Sequence, residues 1–204
     1  MRIKWFSLIR ITGLLLVLLY HFFQTIFPGG FFGVDVFFTF SGFLITSLLL
    51  EEFGKARQID LLGFFKRRFY RIVPPVVLMV LVTMPFTFLV RQDYVAGIGG
   101  QIAGVLGFMT NFYEMLTGGS YESQFIPHLF VHNWSLAVEV HYYILWGLAV
   151  WFLSKRSKSS SQLRGMVFLL SAGAFIISFF SMFIGSLMAS SYSSVYFSSL
   201  THVY

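Results

Sequence analysis

Three side chains that could carry out proton-transfer chemistry stand inside or beside long apolar stretches of this sequence. They are the imidazole of His21 and the carboxylates of Asp35 and Glu139. An ionised carboxylate at bilayer depth costs at least about 2.5–3.5 kcal/mol, so such groups usually face a protein interior and serve a function. A carboxylate beside an imidazole orients the ring and raises its basicity, which is what general-base catalysis requires. These three residues therefore form a candidate catalytic group.

The spacing of His21 and Asp35 predicts that they lie at a similar depth. His21 stands near the end of the first apolar stretch, and Asp35 stands near the start of the second, after a short turn that contains glycine. Arg10 lies three helical turns before His21 and shares its face. Each residue also has a simpler interpretation: an interhelical hydrogen bond for His21, a helix N-cap for Asp35 and a snorkelling anchor for Arg10.

Glu139 reaches the same level if the preceding loop, 117–133, is external. That loop contains no Lys or Arg, which favours the outer side. Ser135 and Tyr143 stand four residues before and after Glu139, so all three share a helix face. Ser41 could act as a nucleophile, although a serine next to a glycine in an apolar helix also makes a packing notch.

Arg68 and Arg71 are three residues apart and can point the same way on a helix. Guanidinium pairs bind phosphate bidentately, so the pair could hold a phosphorylated cytosolic ligand. The alternative is a positively charged membrane flank against anionic lipid. Pro74 and Pro75 follow, and they predict that a helix begins there, where a missing N–H costs nothing.

Composition places these residues in an integral membrane protein. Of 204 residues, 57% are hydrophobic and only 11% are charged, whereas soluble domains carry about a quarter charged residues. Continuous apolar windows of this length predict helices rather than barrel strands, and therefore an all-α polytopic transmembrane bundle. The first window is expected to stay as an anchor, since no cleavage site follows it. The six windows span roughly 7–27, 31–50, 72–90, 97–116, 134–153 and 165–190.

Basic residues define a topology with a cytoplasmic N-terminus. They cluster before the first window, after the second and again within 154–164, which looks like a flexible polar linker. Three apolar windows lie between the second and third basic clusters, and three crossings would place these clusters on opposite sides of the membrane. One of the three windows is therefore expected not to cross the membrane completely. The glycine-rich window 97–116 is the candidate for a re-entrant segment. A close-packed helix that uses Gly100 and Gly104 is the alternative.

Two other ligand classes are not favoured. His128 and His132 have the i,i+4 spacing of metal ligands, yet no acidic or third ligand stands near them in the sequence, so no metal is expected. The net charge of +6 lies in membrane flanks, which explains it without nucleic acid. The absence of cysteine means that no disulfide supports the fold.

Taken in order, four sequence blocks resemble the membrane-bound acyltransferase family 3, whose members O-acylate bacterial surface polysaccharides, lipopolysaccharide and peptidoglycan. One departure is that Val140 and His141 stand where the family usually has a second acidic residue and a glutamine. The four blocks are Ile9-Arg10 through Tyr20-His21-Phe22, Gly33-Val-Asp35 through Thr46, Arg68-Phe-Tyr-Arg71-Ile-Val-Pro74, and His132-Asn-Trp134-Ser135-Leu-Ala-Val-Glu139 through Tyr143.

The resemblance implies that His21 is the catalytic histidine and Arg10 its companion. It also implies that Arg68 and Arg71 lie on the cytosolic side, where an acyl-CoA donor is expected. The family domain has about ten spans, so this chain is expected to be the N-terminal part of one, truncated and without activity on its own. Further signature positions, expected to bind or orient substrate, are Asp35, Ser41, Trp134, Ser135, Glu139 and Tyr143.

These observations lead to one hypothesis and two rivals. The hypothesis is a multi-pass enzyme of the bacterial cell membrane that transfers an acyl group, with acetyl favoured, from acyl-CoA to a sugar hydroxyl of a cell-envelope polysaccharide, lipopolysaccharide or peptidoglycan. The lipid bilayer, the acyl-CoA donor and the glycan acceptor are its expected partners. A transporter or flippase would also place buried charges at one depth. The second rival is a truncated, non-catalytic membrane fragment.

Overall fold

The structure is a computed structural model that describes residues 4–23, 25–89, 95, 97–117 and 128–188. Throughout these ranges the secondary structure is helical, so the predicted all-α class is confirmed. Seven α-helices occur in chain order within these described ranges: α1 Lys4–Phe22, α2 Phe32–Ala56, α3 Leu61–Thr83, α4 Ile98–Leu106, α5 Thr110–Thr117, α6 Trp134–Arg156 and α7 Ser160–Met188. Short 3-10 turns precede α2 at Pro28–Phe31, follow α3 at Met84–Leu89 and precede α6 at Val131–Asn133.

Four helical stretches of the described chain are long and apolar enough to cross a membrane, which agrees with a polytopic bundle. Part of α1, Ile11–Phe22, is apolar over a shorter length. The four stretches are Phe32–Ala56, Leu61–Thr87, Val131–Arg156 and Ser160–Gly185.

Helix α3 begins well before the proline pair, contrary to the prediction that a helix starts there. The side chain of Asp60 accepts a hydrogen bond from the backbone N–H of Gly63 at 2.9 Å and so caps the helix start at Leu61. Pro74 and Pro75 therefore lie inside α3. The sequence signal for this helix start was an N-cap carboxylate ahead of an apolar run, and it marked the start more reliably than the prolines did.

The predicted flexible linker at 154–164 is largely helical. Helix α6 continues to Arg156 and α7 begins at Ser160, which leaves a turn of three residues. The hydroxyl of Ser159 accepts from the backbone N–H of Gln162 at 3.1 Å, and the Gln162 amide oxygen accepts from the backbone N–H of Lys158 at 2.8 Å. This reciprocal Ser-x-x-Gln pairing is a helix-start signal close to a capping box.

The window 97–116 forms two short helices that pack against each other as a hairpin. Helices α4 and α5 contain 9 and 8 residues, and each is too short to cross a hydrocarbon core of about 30 Å. Phe108, between them, adopts a left-handed backbone conformation with φ 53°. Gly100 and Gly104 pack under Tyr113 of α5. A continuous close-packed helix is therefore wrong, and the hairpin has the geometry of the predicted re-entrant segment.

Two glycines allow α1 and the start of α2 to approach closely. A Cβ on Gly33 would stand 2.6 Å from the carbonyl oxygen of Gly13, and a Cβ on Gly30 would stand 2.4 Å from the carbonyl oxygen of Leu16. Both distances are far inside van der Waals contact, so only glycine fits at these positions. Asp35 lies in the first turn of α2, two residues after Gly33.

The two basic turns of the described chain lie at the same end of the bundle, as the charge pattern predicts. Arg57, in the turn after α2, donates from Nη1 to the hydroxyl of Ser160 at the start of α7 at 3.5 Å. Ile59 and Leu163, from these two connections, belong to one buried cluster. That cluster joins α2, α3, α6 and α7 around Ile45, Leu49, Phe64, Trp146 and Val150.

Candidate functional site

Glu139 of α6 is the centre of a hydrogen-bonded group that the sequence partly predicted. The hydroxyl of Ser41, from α2, donates to Glu139 Oε1 at 2.5 Å. The hydroxyl of Tyr143, one turn further along α6, donates to the same oxygen. The predicted shared face of Glu139 and Tyr143 is thus confirmed, and α2 supplies the third member.

Arg68 of α3 joins this group through the ring of Tyr143. Its guanidinium carbon lies 5.3 Å from the Tyr143 ring centroid and 5.6 Å from that of Phe64. It also interacts electrostatically with Glu139. Arg71, three residues later on α3, is exposed.

A cavity of about 510 Å³, here called the arginine cavity, opens between α3 and α6. Its wall is mostly apolar, with Lys66 and Arg68 as its cationic side chains, and Phe108 of the α4–α5 turn completes it. Tyr143 also lines this cavity. An apolar pocket with cations on its wall suits an amphiphilic anion whose uncharged end enters the bundle.

A second cavity of about 240 Å³, here called the glutamate cavity, lies between α1, α2 and α6. Val17, Val34, Ser135 and Glu139 are among its lining residues. Because Glu139 lines this cavity and Tyr143 lines the arginine cavity, the hydrogen bond between them connects the two spaces.

His21 lies near the end of α1, where its tautomer is fixed. Its Nδ1 lies 2.8 Å from the backbone carbonyl oxygen of Val17. Because a carbonyl oxygen can only accept, Nδ1 carries the proton, and in the neutral ring Nε2 carries the lone pair. The ring of His132 packs edge-on against it, with centroids 4.9 Å apart and planes at 74°. His21 is solvent-exposed in this arrangement.

Glu139 and His21, which were predicted to lie at one depth, each have contacts of their own. Glu139 binds Ser41 and Tyr143, while His21 meets His132, seven residues earlier than Glu139 in the chain. Seven residues correspond to about 10 Å of helical rise between the backbones of His132 and Glu139. The imidazole pair nevertheless lies one turn from the glutamate cavity. Its neighbours there are Val17, which lines the cavity and binds His21, and Ser135, whose hydroxyl donates to the His132 carbonyl at 3.4 Å.

The remaining predicted site residues have different surroundings. Trp134 is only 2% exposed and packs edge-on against Phe38, with ring centroids 6.1 Å apart. It therefore shapes the start of α6 from within an apolar cluster. Asp35 is half-buried. Arg10 lies in α1, and its side chain is outside the part of the chain that the structure describes.

Sequence reasoning missed an acidic partner for His128. Nδ1 of His128 lies 2.9 and 3.0 Å from the two carboxylate oxygens of Glu114, which is 1% exposed. Burial raises the pKa of Glu114, and the bond to His128 opposes that rise. The expectation that no acid stands near His128 was therefore wrong, because Glu114 is fourteen positions away in the chain and comes next to His128 only in the fold. Within the described residues no group of three or more His, Asp or Glu side chains could hold a metal ion.

Comparison with known proteins adds independent information. A family model described as an acyltransferase domain matches residues 3–200. The chain is 33% identical over 171 residues to the O-acetyltransferase OatA of Staphylococcus aureus strain NCTC 8325 / PS 47, and equally to that of strain COL. It is 35% identical over 136 residues, 67% of this chain and 22% of the relative, to another strain COL protein with a provisional O-acetyltransferase name.

The alignment with OatA covers 83% of this chain but only 28% of the relative. The chain thus spans well under a third of the length of the curated relatives it matches. No solved structure matches it. A family match along almost the entire sequence, together with the helical bundle and its buried polar group, shows that the chain belongs to the acyltransferase family 3 of multi-pass membrane proteins.

Proposed function

We propose that this protein is a membrane O-acyltransferase that moves an acyl group, in the simplest case acetyl, from acyl-CoA to a sugar hydroxyl of a bacterial cell-envelope glycan. The observation that carries the proposal is the Glu139–Tyr143 hydrogen bond, which links a cation-bearing cavity to a separate cavity near an imidazole pair. The O-acetyltransferase names of the staphylococcal relatives support the same reaction class.

The arginine cavity is the proposed donor site. Lys66 and Arg68 would bind the phosphates of coenzyme A, and the apolar wall would hold the less polar end that carries the thioester. Because Tyr143 stands on this wall, the acyl carbonyl could reach the Glu139–Tyr143 pair. The basic turns after α2 and α6 would then face the cytosol, together with the N-terminus, as the positive-inside rule predicts.

His21 is the proposed general base. In its fixed tautomer Nε2 takes the proton of the acceptor hydroxyl while that oxygen attacks the thioester carbon. The carbon–sulfur bond then breaks, and the thiolate takes up a proton to leave as free coenzyme A. The carboxylate of Glu139 would hold the hydroxyls of Ser41 and Tyr143 where the two cavities meet, and Asp35, in the first turn of α2, would be the second carboxylate of the site.

The direct test uses membranes that contain the full-length protein and acetyl-CoA labelled in the acetyl group. The measured product is base-labile acetate bound to envelope glycan. His21→Gln should lower the rate by about 100-fold or more, because positioned general bases contribute at least that factor. His141→Gln is the matched control, since it makes the same change in an α6 ring that contacts Phe112 and installs the residue usual in the family.

Retained ester formation in the His21→Gln variant would remove His21 from the mechanism. Transport of label across vesicles without any ester product would instead favour the transporter, which also uses buried charges between helices. Both variants should insert into membranes in equal amounts, so the comparison measures chemistry.

A further inference from the structure

The α4–α5 hairpin holds the segment before α6 through two buried polar side chains. Glu114 of α5 binds His128 through both carboxylate oxygens, at 2.9 and 3.0 Å. Gln101 of α4 accepts a hydrogen bond from the backbone N–H of Phe130 at 3.3 Å. Glu114 and Gln101 are each 1% exposed, so neither contact can exchange easily with water.

The held segment leads directly into the 3-10 turn that carries His132. The backbone N–H of Val131 donates to the carbonyl of His128 at 3.1 Å, and that of Asn133 donates to the carbonyl of Phe130 at 3.0 Å. The side-chain amide of Asn133 binds the same Phe130 carbonyl at 3.2 Å. The position of His128 and Phe130 therefore determines where the imidazole of His132 stands.

The composition of α5 indicates that this arrangement serves more than packing. The buried residues of this eight-residue helix are Thr110, Asn111 and Glu114, all of them polar. Apolar side chains of similar volume would usually stabilise such a contact at least as well, because burying a charge carries a desolvation penalty. What the Glu114–His128 contact adds over an apolar contact is direction, since a carboxyl group binds an imidazole in a narrow range of geometries.

We propose that Glu114, through His128, is a positioning residue for acyl transfer, which fixes the turn that holds His132 against His21. This inference rests on the proposed function, in which His21 is the base. The His21 ring contacts the Val17 carbonyl through Nδ1, which leaves Nε2 as the basic atom, and it packs against the ring of His132. Without the Glu114–His128 contact the turn is no longer fixed, and the His21 ring then adopts a wider range of orientations.

The experiment compares Glu114→Gln with Glu51→Gln in the full-length membrane protein. Glu51 forms an exposed ion pair with Lys55 in α2, so its substitution is a matched control and should leave turnover unchanged. Glu114→Gln should lower kcat by about 10–100-fold, the range expected when a reacting group is misplaced by up to an ångström. The KM for acetyl-CoA should stay the same, because Glu114 is not part of the arginine cavity.

Double substitution separates positioning from general destabilisation. If Glu114 acts through His132, then Glu114→Gln should cause no further loss in a His132→Ala background, and His128→Gln should behave in the same way. Fully multiplicative losses would overturn the inference. An unchanged kcat in the Glu114→Gln single variant would overturn it as well.

A second readout does not need activity. The rate at which diethyl pyrocarbonate modifies His21, followed by mass spectrometry, should rise in Glu114→Gln as His132 ceases to cover the ring edge. It should stay constant in Glu51→Gln. An equal rate in both variants contradicts the inference. Failure of the proposed function is recognised separately, because then His21→Gln itself would retain ester formation.

Discussion

A half-buried carboxylate with two hydroxyl donors explains much of the site at the scale of single residues. Glu139 would be costly between helices without partners, and Ser41 and Tyr143 supply them from two sides. Since Tyr143 also carries Arg68 on its ring face, the four residues form a connected group drawn from α2, α3 and α6. A substitution of one of these residues should therefore alter the contacts of the others.

Tyr143→Phe tests this dependence with the loss of one hydroxyl. The ring stays under Arg68, but Glu139 loses a donor, which should lower the free energy of unfolding by about 1–3 kcal/mol. Acyl transfer should fall too, because Glu139 then orients Ser41 alone. Thermal unfolding in detergent and the ester assay measure the two effects.

The control is Tyr142→Phe, which removes the neighbouring hydroxyl. Tyr142 stacks on Trp146 and contacts Thr46, and it lines a different cavity from the one that Glu139 lines. Acyl transfer by this variant should remain close to that of the unchanged protein. Equal loss of activity in both tyrosine variants would show that the Glu139 contact has no special role.

Helical spacing predicted part of the site, and the limits of that prediction are physical. The i,i+4 relation of Glu139 and Tyr143 follows from local geometry and is confirmed. Glu139 and Ser41 are 98 residues apart in the chain, and their contact depends on how α2 and α6 are oriented relative to each other. The pairing of His21 with His132 depends on how α1 lies against the 3-10 turn before α6, which no local spacing determines.

At the scale of helices, the sequence likewise predicted some features and missed others. The apolar windows located the long helices, but polar caps such as Asp60 set where they begin. Prolines within an apolar run were a weaker signal than the cap ahead of it. The break at Phe108 follows a glycine-rich run, which correctly indicated that this window differs from the others.

Gly33→Ala should disturb the close contact between α1 and α2. The new methyl group would meet the backbone oxygen of Gly13, which cannot rotate away as a side chain could. Forcing the helices apart should cost about 1–3 kcal/mol of stability. The glutamate cavity should change shape as well, since Val17 and Val34 line it on either side of this contact.

Gly54→Ala is the matched control in the same helix. No atom lies within 4 Å of the position that its Cβ would take. Replacing an interior helical glycine by alanine at an open position should raise stability by about 0.5–1 kcal/mol. Thermal unfolding of both variants in one detergent gives the comparison, and similar destabilisation by the two would exclude a specific close contact at Gly33.

On the scale of the whole molecule, the bundle separates a basic end from an imidazole end. The turns after α2 and α6 meet at the first, through Arg57 and Ser160. The imidazoles of His21 and His132 meet at the other. Helix α2 joins the two ends with 25 residues, which correspond to about 37 Å and exceed the thickness of a hydrocarbon core.

If the two ends lie on opposite sides of the membrane, the chain between α3 and α6 must begin and end on the same side. Cysteine labelling can test this topology. Because the chain contains no cysteine, single substitutions can be read without background. Gln58→Cys and Lys158→Cys mark the two basic turns, while Gly29→Cys marks the turn between α1 and α2. A membrane-impermeant maleimide should label Gly29→Cys in intact cells and the other two only after permeabilisation. Labelling of Gln58→Cys and Lys158→Cys on opposite sides would mean that the α4–α5 hairpin crosses the membrane after all.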